Sequence, residues 1–155
     1  MRTPDAIQLL SADHKEIDQL FKEYEKLCED AADDGEKALL AGQICALLTV
    51  HATVEEEIFY PAARAAIDDQ GLLDEAEVEH DTAKELIAQI EASDPSQALY
   101  DAKVQVLGEY IRHHVKEEEG ELFPKVKKAK IDLKVIGESL DARKHDLMST
   151  EEPSQ

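Results

Sequence analysis

The sequence contains few of the residues that stabilise small secreted or β-rich proteins. Its 155 residues include two cysteines, six glycines, five prolines and no tryptophan. Cys28 and Cys45 are too few for a disulfide framework or a cysteine zinc site, so we interpret them as small core residues. No run of about 18 apolar residues occurs, and residues 1–5 lack the basic-then-apolar order of a signal peptide. We therefore expect a cytoplasmic protein.

Positive charge is also scarce. Thirty-six acidic residues stand against 17 basic ones, which gives a formal net charge of −19. Such a charge repels phosphate backbones and anionic lipid surfaces. We therefore expect neither a nucleic-acid nor a membrane partner.

Apolar residues recur at helical spacing in segments bounded by glycine and proline, and no useful length alternates with a period of two. Five helices are predicted: from Pro4, with Thr3 as N-cap, to about Cys28; from the turn Asp33-Asp34-Gly35 to a kink or break at Pro61; from the connection at Gly71 to Ser93; from Pro95 to Pro124; and from about Asp132 to Met148. The pattern predicts an all-α fold, an up-and-down antiparallel four-helix bundle with an additional C-terminal helix. Residues 1–130 would form the bundle, and residues 131–155 the C-terminal helix and tail.

A helix pair is present twice. His51 begins a His-x-x-x-Glu motif that ends in Tyr60-Pro61, and His114 begins the same motif, ending in Phe123-Pro124, 63 residues later. Single histidines, His14 and His80, precede the two motifs at an offset of 66. Such a repeat, folded about a pseudo-twofold axis, places both copies in one bundle core.

Six ionisable residues therefore fall on the apolar stripes that face the core: His14, His51, Glu55, His80, His114 and Glu118. An unpaired carboxylate there would cost several kcal/mol or become protonated, and no lysine or arginine recurs on these stripes. Bound cations would resolve the problem. Nitrogen and oxygen ligands without thiolate suit iron, manganese or zinc. Two metals bridged by Glu55 and Glu118, each with two histidines, use all six residues, whereas a single structural zinc needs only four ligands. A zinc-stabilised bundle without chemistry remains the plainer alternative.

A neighbouring pair, His113 and Glu117, has the same four-residue spacing as His114 and Glu118. The sequence must therefore be aligned to decide which pair belongs to the repeat. Alignment on Pro61 and Pro124 places this pair opposite Val50 and Val54, which cannot bind metal, so the repeat selects His114 and Glu118. The remaining polar residues receive lesser roles: Glu56 and Glu119 as solvated or supporting acids, His113 as supporting or exposed, His145 as a surface residue and Tyr24 as core.

Over about residues 7–130, the pattern His14, His51-x-x-x-Glu55, His80, His114-x-x-x-Glu118 resembles the hemerythrin-like proteins, specifically the bacterial hemerythrin HHE cation-binding domain family. The resemblance implies a four-helix bundle with two non-haem iron ions (Fe2+/Fe3+), bridged by carboxylates and an oxo, hydroxo or water ligand. It also implies a small diatomic ligand or peroxide as partner.

The sequence departs from the oxygen carriers of that group. The carriers have two histidines four residues apart on the third helix, whereas here His80 is followed by Lys84. Lys84, Glu77 or water would have to replace the second histidine. This departure favours nitric oxide or peroxide chemistry, including a catalase-like activity, over reversible oxygen carriage. An oxygen or iron sensor, or a protein for iron storage and repair of iron centres, is the alternative.

Overall fold

The computed structural model describes residues 4–151, and among these residues every regular element is helical. The five helices are α1 (Ala6–Glu29), α2 (Asp34–Val54, Glu55–Phe59 and Tyr60–Ala66 in direct succession), α3 (Gln70–Ala92), α4 (Tyr100–Glu117, Glu118–Leu122 and Phe123–Lys128 in direct succession) and α5 (Leu133–Glu151). The all-α prediction is confirmed.

Aspartates fix where the first helices begin. Asp5 caps α1, because its side chain accepts from the Gln8 backbone N–H while the Gln8 side chain accepts from the Asp5 N–H. The N-cap predicted at Thr3 falls outside the described residues. Asp33 caps α2 in the same position, so Asp34 and Gly35 belong to the first helical turn and not to the preceding loop.

Two further predicted boundaries are wrong. Gly71 lies inside α3, which begins at Gln70 after the cap residue Asp69. The fourth helix begins at Tyr100 and not at Pro95, since the Asp94 side chain instead accepts from the Ser96 backbone N–H in a local turn.

Neither Pro61 nor Pro124 ends its helix, so the end predicted at Pro124 is wrong, and of the kink or break predicted at Pro61 the break is wrong. Each follows a π-helical turn, Glu55–Phe59 in α2 and Glu118–Leu122 in α4. The Tyr60 N–H donates to the Glu55 carbonyl five residues back, and the Phe123 N–H donates to the Glu118 carbonyl. The wider turn accommodates a proline that would clash inside a regular α-helix, so both helices continue through it.

Apolar side chains form two clusters, and the buried polar residues lie between them. On α1, Leu10 belongs to one cluster and Ile17 to the other, while His14 lies midway. Phe59 and Leu140 are fully buried in the first cluster, and Leu107 in the second. Packing on both sides holds the central side chains away from solvent. Cys45 is buried in the second cluster as predicted, and Cys28 is partly buried against it.

Helix α5 covers the end of the bundle formed by α1 and α2. Gly137 permits the close approach, since a Cβ there would lie 2.6 Å from the Pro4 carbonyl oxygen. The Arg143 guanidinium pairs with Glu57 at 2.8 Å across this contact. Helix α5 is thus packed against the bundle along its length.

The continuous helix Asp34–Ala66 is long and apolar enough to cross a membrane, with a mean hydropathy of 1.4 in its most apolar stretch. However, 56% of that stretch is buried inside the protein. Burial of this kind is typical of the core helix of a globular bundle.

Candidate metal centre

The six predicted ligands meet in the middle of the bundle. They come from four helices and are all at most 6% exposed: His14 on α1, His51 and Glu55 on α2, His80 on α3, and His114 and Glu118 on α4. The repeat therefore selected residues that the fold brings together. Their role as metal ligands stays a prediction at this point.

Each glutamate contacts one histidine from each copy of the repeat. Glu55 Oε1 lies 3.2 Å from both His51 Nε2 and His80 Nε2. Glu118 Oε1 lies 3.2 Å from His14 Nε2, and its Oε2 lies 3.3 Å from His114 Nε2. Both carboxylates thus lie between two pairs of histidines. The pair His14 and His51 is called the His14 half, and the pair His80 and His114 is called the His80 half.

Potential ligand atoms of the six central residues gather in two places. Those of His14, His51, Glu55 and Glu118 all lie within 4.8 Å of one another, and so do those of Glu55, His80 and His114. Residue types, separations and burial are those of groups that could hold a metal ion, and Glu55 belongs to both groups.

Buried atoms without hydrogen-bond partners also indicate cations. Within the described residues, five such atoms are found here: Nε2 of His14 and of His51, both oxygens of Glu55, and Oε1 of Glu118. Leaving buried donors and acceptors unsatisfied is costly, so native proteins almost always pair them. One kind of occupant, a divalent cation, would satisfy all five.

Electrostatics in the metal-free protein favour protonated histidines beside an ionised Glu118. Burial alone would lower the pKa of His51, but Glu55 and Asp13 outweigh burial and raise it to about 10. For His114, burial is likewise outweighed by Glu118 and Glu79, which raise its pKa to about 11. Although burial opposes the change, the contacts with His114 and His14 hold the pKa of Glu118 well below its usual value. The pocket therefore holds positive charge where its carboxylates converge.

The other ring nitrogen of each histidine contacts a second carboxylate. Glu119 Oε2 lies 2.6 Å from His14 Nδ1, and Glu56 Oε2 lies 2.8 Å from His80 Nδ1. Each of these acids directly follows a central glutamate. An ionised carboxylate only accepts, so Nδ1 carries the proton and Nε2 faces the centre. The prediction of Glu56 and Glu119 as supporting acids agrees with these contacts.

Sequence reasoning missed the other two supporting acids. Asp13 Oδ2 lies 3.1 Å from His51 Nδ1, and Glu79 Oε1 lies 2.6 Å from His114 Nδ1. A signal was present, since an acid directly precedes the single histidine in both copies, as Asp13-His14 and Glu79-His80. All four imidazoles are therefore oriented by carboxylates in a pseudo-symmetric arrangement.

Tyr60 was also missed. Its hydroxyl donates to Glu118 Oε2 at 2.5 Å and lies 3.1 Å from His80 Nε2 and 3.4 Å from His114 Nε2. In a regular α-helix a residue five positions after Glu55 would face about 140° away. The π-helical turn brings Tyr60 to the centre. Its counterpart Phe123 has no hydroxyl and stacks on His14 at a ring separation of 6.0 Å.

Lys84 and Glu77 do not take the place of a missing histidine. The Lys84 ammonium lies 2.7 Å from Glu56 Oε1, and Glu77 pairs with Arg64 at 3.3 Å. Both suggested replacements are therefore wrong.

The residues excluded by the register lie elsewhere. The side chains of His113 and His145 are 62% and 81% exposed, as expected for residues outside the centre. Tyr24 is a core residue as predicted, and its hydroxyl donates to Asp101 at 2.7 Å.

Comparison with known proteins gives three findings. Residues 5–126 match the model of the family described as "Hemerythrin HHE cation binding domain". A DNA nickase of Nostoc sp. (strain PCC 7120) is 33% identical over 131 residues, which is 82% of this chain but 34% of the nickase, so the chain spans about a third of that relative. The crystal structure of a hemerythrin HHE cation binding domain-containing protein from Mycobacterium kansasii superposes with a TM-score of 0.79, covering 95% of this chain and 89% of that one. At 22% identity, the latter likeness shows the fold.

Proposed function

Since this chain belongs to the hemerythrin HHE cation-binding domain family, we propose that it is a non-haem di-iron protein that binds or reacts with dioxygen, nitric oxide or peroxide. The observation that carries the proposal is the set of five buried atoms without partners between four histidines and two glutamates. Among iron, manganese and zinc, iron has the accessible redox change that such small ligands require.

Each cation would be held by two imidazoles, with Glu55 and Glu118 shared between the two cations. When bound, iron would supply open coordination positions and a ferrous–ferric couple. The protein would supply the orientation of the ligands and the balance of charge. Its carboxylates orient the four imidazoles through Nδ1, and the central glutamates balance the charge of two ions.

Tyr60 makes the two halves chemically different. Its phenol faces the His80 half, whereas Phe123 presents only a ring to the His14 half. Burial and the two central glutamates raise the pKa of Tyr60 well above 10, so without a cation Tyr60 is a hydrogen-bond donor to Glu118. We propose that Tyr60 is a further oxygen ligand or proton donor on the His80 half.

A small apolar cavity favours a small uncharged ligand. It has a volume of about 30 Å³ and lies against all four imidazoles. Apolar side chains of Ile17, Leu48 and Ile87 contribute to its lining, with Lys84 beside it. This space is about that of one water molecule. Dioxygen, nitric oxide and hydrogen peroxide have this size.

Adding each ligand to iron-loaded protein separates the candidate activities. Oxygen evolution from peroxide that the His51→Ala variant lacks would support an enzyme. A reversible spectral change with dioxygen or nitric oxide would support a carrier or sensor. Iron uptake and release without either would support storage or repair of iron centres. Absence of iron binding would reject the proposal as a whole.

The nickase activity is not part of this proposal. This chain spans only 34% of the Nostoc protein, and its net charge of −19 opposes binding to DNA. We propose that the protein acts in the cytoplasm without a nucleic-acid or membrane partner. Fluorescence anisotropy with labelled duplex DNA tests the first exclusion, and co-sedimentation with anionic vesicles tests the second.

A further inference from the structure

The rival pair His113 and Glu117, excluded from the centre, lies directly outside it. His113 Nε2 is 2.8 Å from Glu117 Oε1. Potential ligand atoms of Glu79, His113 and Glu117 all lie within 4.8 Å of one another. The three residues are named the outer cluster. One imidazole nitrogen and two carboxylates are ligands of the type that binds ferrous iron and other divalent cations.

The outer cluster is connected to the buried centre. Glu79 Oε1 contacts Nδ1 of His114 at 2.6 Å. A cavity of about 10 Å³ is lined by Glu79 and Glu117 together with the buried His114 and Glu118. Glu118 is 3% exposed, and its Oε2 is the oxygen on the side of His114, 3.3 Å from His114 Nε2. A partly exposed group of potential ligands thus shares a cavity wall with His114 and Glu118, two candidate ligands of the buried centre.

Among the described residues, the equivalent position in the other half of the repeat has no such group of ligands. The equivalents of His113 and Glu117 are Val50 and Val54, which are 2% and 0% exposed. Asp13, the equivalent of Glu79, is covered by α5 and pairs with Lys144 at 2.6 Å. The two halves therefore differ at this position, because the His80 half has ligating side chains where the His14 half has buried valines.

We propose that Glu79, His113 and Glu117 form an outer divalent-cation site, through which ferrous iron reaches the buried centre from the side of His114. The existence of the outer site stands on its own, whereas the transfer step rests on the proposed function. With three protein ligands and remaining positions open to water, the outer site would bind weakly and exchange its ion readily. Such a site suits transfer, while the enclosed centre retains the ion.

Paramagnetic line broadening tests the outer site directly. The centre is first filled with Zn2+, which is diamagnetic, and the protein is desalted before substoichiometric Mn2+ is added. We expect the ring NMR signals of His113 to broaden while those of His145 stay sharp, and Glu117→Gln to abolish the selectivity. His145 is a matched control, because it is exposed and lies four residues after an acid, Asp141. Equal broadening of both histidines would overturn the outer site.

Stopped-flow loading of metal-free protein with Fe2+ under anaerobic conditions tests the transfer step. Local electrostatic attraction raises association rates by about 10- to 1,000-fold, so we expect His113→Ala with Glu117→Gln to slow filling roughly tenfold. The final iron content should not change. The matched control, His145→Ala with Asp141→Asn, likewise removes one histidine and one carboxylate and should load at the unaltered rate.

Equal rates in the unaltered protein and the outer-cluster variant would overturn the transfer role, even if Mn2+ binds. Equal slowing by the control would do so as well. Failure of the proposed function gives a different result, because the unaltered protein itself would then retain no iron.

Discussion

The Lys144 ammonium of α5 lies 2.6 Å from the Asp13 carboxylate, which contacts Nδ1 of His51 through its other oxygen at 3.1 Å. Asp13 is 3% exposed, so this pair is largely shielded from water. Burial opposes ionisation of Asp13, but His51 and Lys144 together hold its pKa below the usual value. A helix beyond the family-matched residues 5–126 thereby fixes one candidate ligand of the centre.

Replacing Lys144 should weaken binding at the His14 half. In Lys144→Met, Asp13 loses its cation and orients His51 less well. Changes to groups that support metal ligands typically reduce affinity about 10- to 100-fold. Competition with a chromophoric chelator measures the effect, and Lys144→Arg should restore most of the affinity.

Lys84→Met is the matched control in the other half. Its ion pair with Glu56 is partly exposed, with side-chain exposures of 49% and 31%, so solvent screens it and the loss should be smaller. Equal effects of the two methionine variants would contradict a special role for the buried pair.

Tyr60→Phe should change the spectrum more than the fold. The variant keeps the ring beside His80 but removes the hydroxyl that lies 3.1 Å from Nε2. If the phenolate binds ferric iron, the oxidised protein has a visible charge-transfer band that the variant loses, with its iron content unchanged. Phe123→Tyr is a control for an added hydroxyl in the other half. An unaltered visible spectrum in Tyr60→Phe would contradict ligation by Tyr60.

Stability of the metal-free protein should fall as the pH rises. The folded pKa values of His51 and His114 are raised to about 10 and about 11, whereas an unfolded histidine titrates near 6.5. The stabilisation is therefore complete below about pH 6.5 and is lost as the pH rises through the folded values. Denaturant unfolding at pH 7 and pH 10 should show this loss.

A bound cation replaces these protons, so zinc-loaded protein should lose less stability over the same range. The difference between the two forms isolates the histidines from other groups that titrate at high pH. Greater stability of the metal-free form at pH 10 than at pH 7 would contradict the assignment.

Gly137→Ala should destabilise the docked α5. The new Cβ would lie 2.6 Å from the Pro4 carbonyl oxygen and 2.8 Å from the Ala6 nitrogen, both of them backbone atoms. Overpacking of this kind typically costs about 1–3 kcal/mol of unfolding free energy. Gly42→Ala is the control, because nothing lies within 4 Å of its Cβ, and it should stabilise α2 by about 0.5–1 kcal/mol. Thermal unfolding of both variants provides the comparison.

The repeat accounts for what the sequence could predict. Histidines and glutamates on apolar stripes cannot face the core without partners, so their recurrence in the repeat selected the six buried residues, and alignment on Pro61 and Pro124 rejected His113 and Glu117. The all-α fold followed from helical periodicity, and the valines opposite the rejected pair set the register correctly.

What sequence reasoning missed depends on geometry that a regular helix does not have. The π-helical turns after Glu55 and Glu118 carry the helices past Pro61 and Pro124, and they turn Tyr60 toward the centre. The contact of Lys144 with Asp13 joins residues 131 positions apart, and no local pattern predicts such a contact. Lys84 was one of three suggested replacements for the second histidine, because sequence spacing gave no sign that it would pair with Glu56.

Metal analysis of the purified protein together with its absorption spectrum tests the central claim most directly. The unaltered protein and its His113→Ala variant should each retain two irons per chain and absorb in the near ultraviolet and visible when oxidised. His51→Ala and His114→Ala should each lose iron and colour. A single zinc without colour, or loss of the centre in His113→Ala but not in His114→Ala, would contradict a di-iron site built from these six residues.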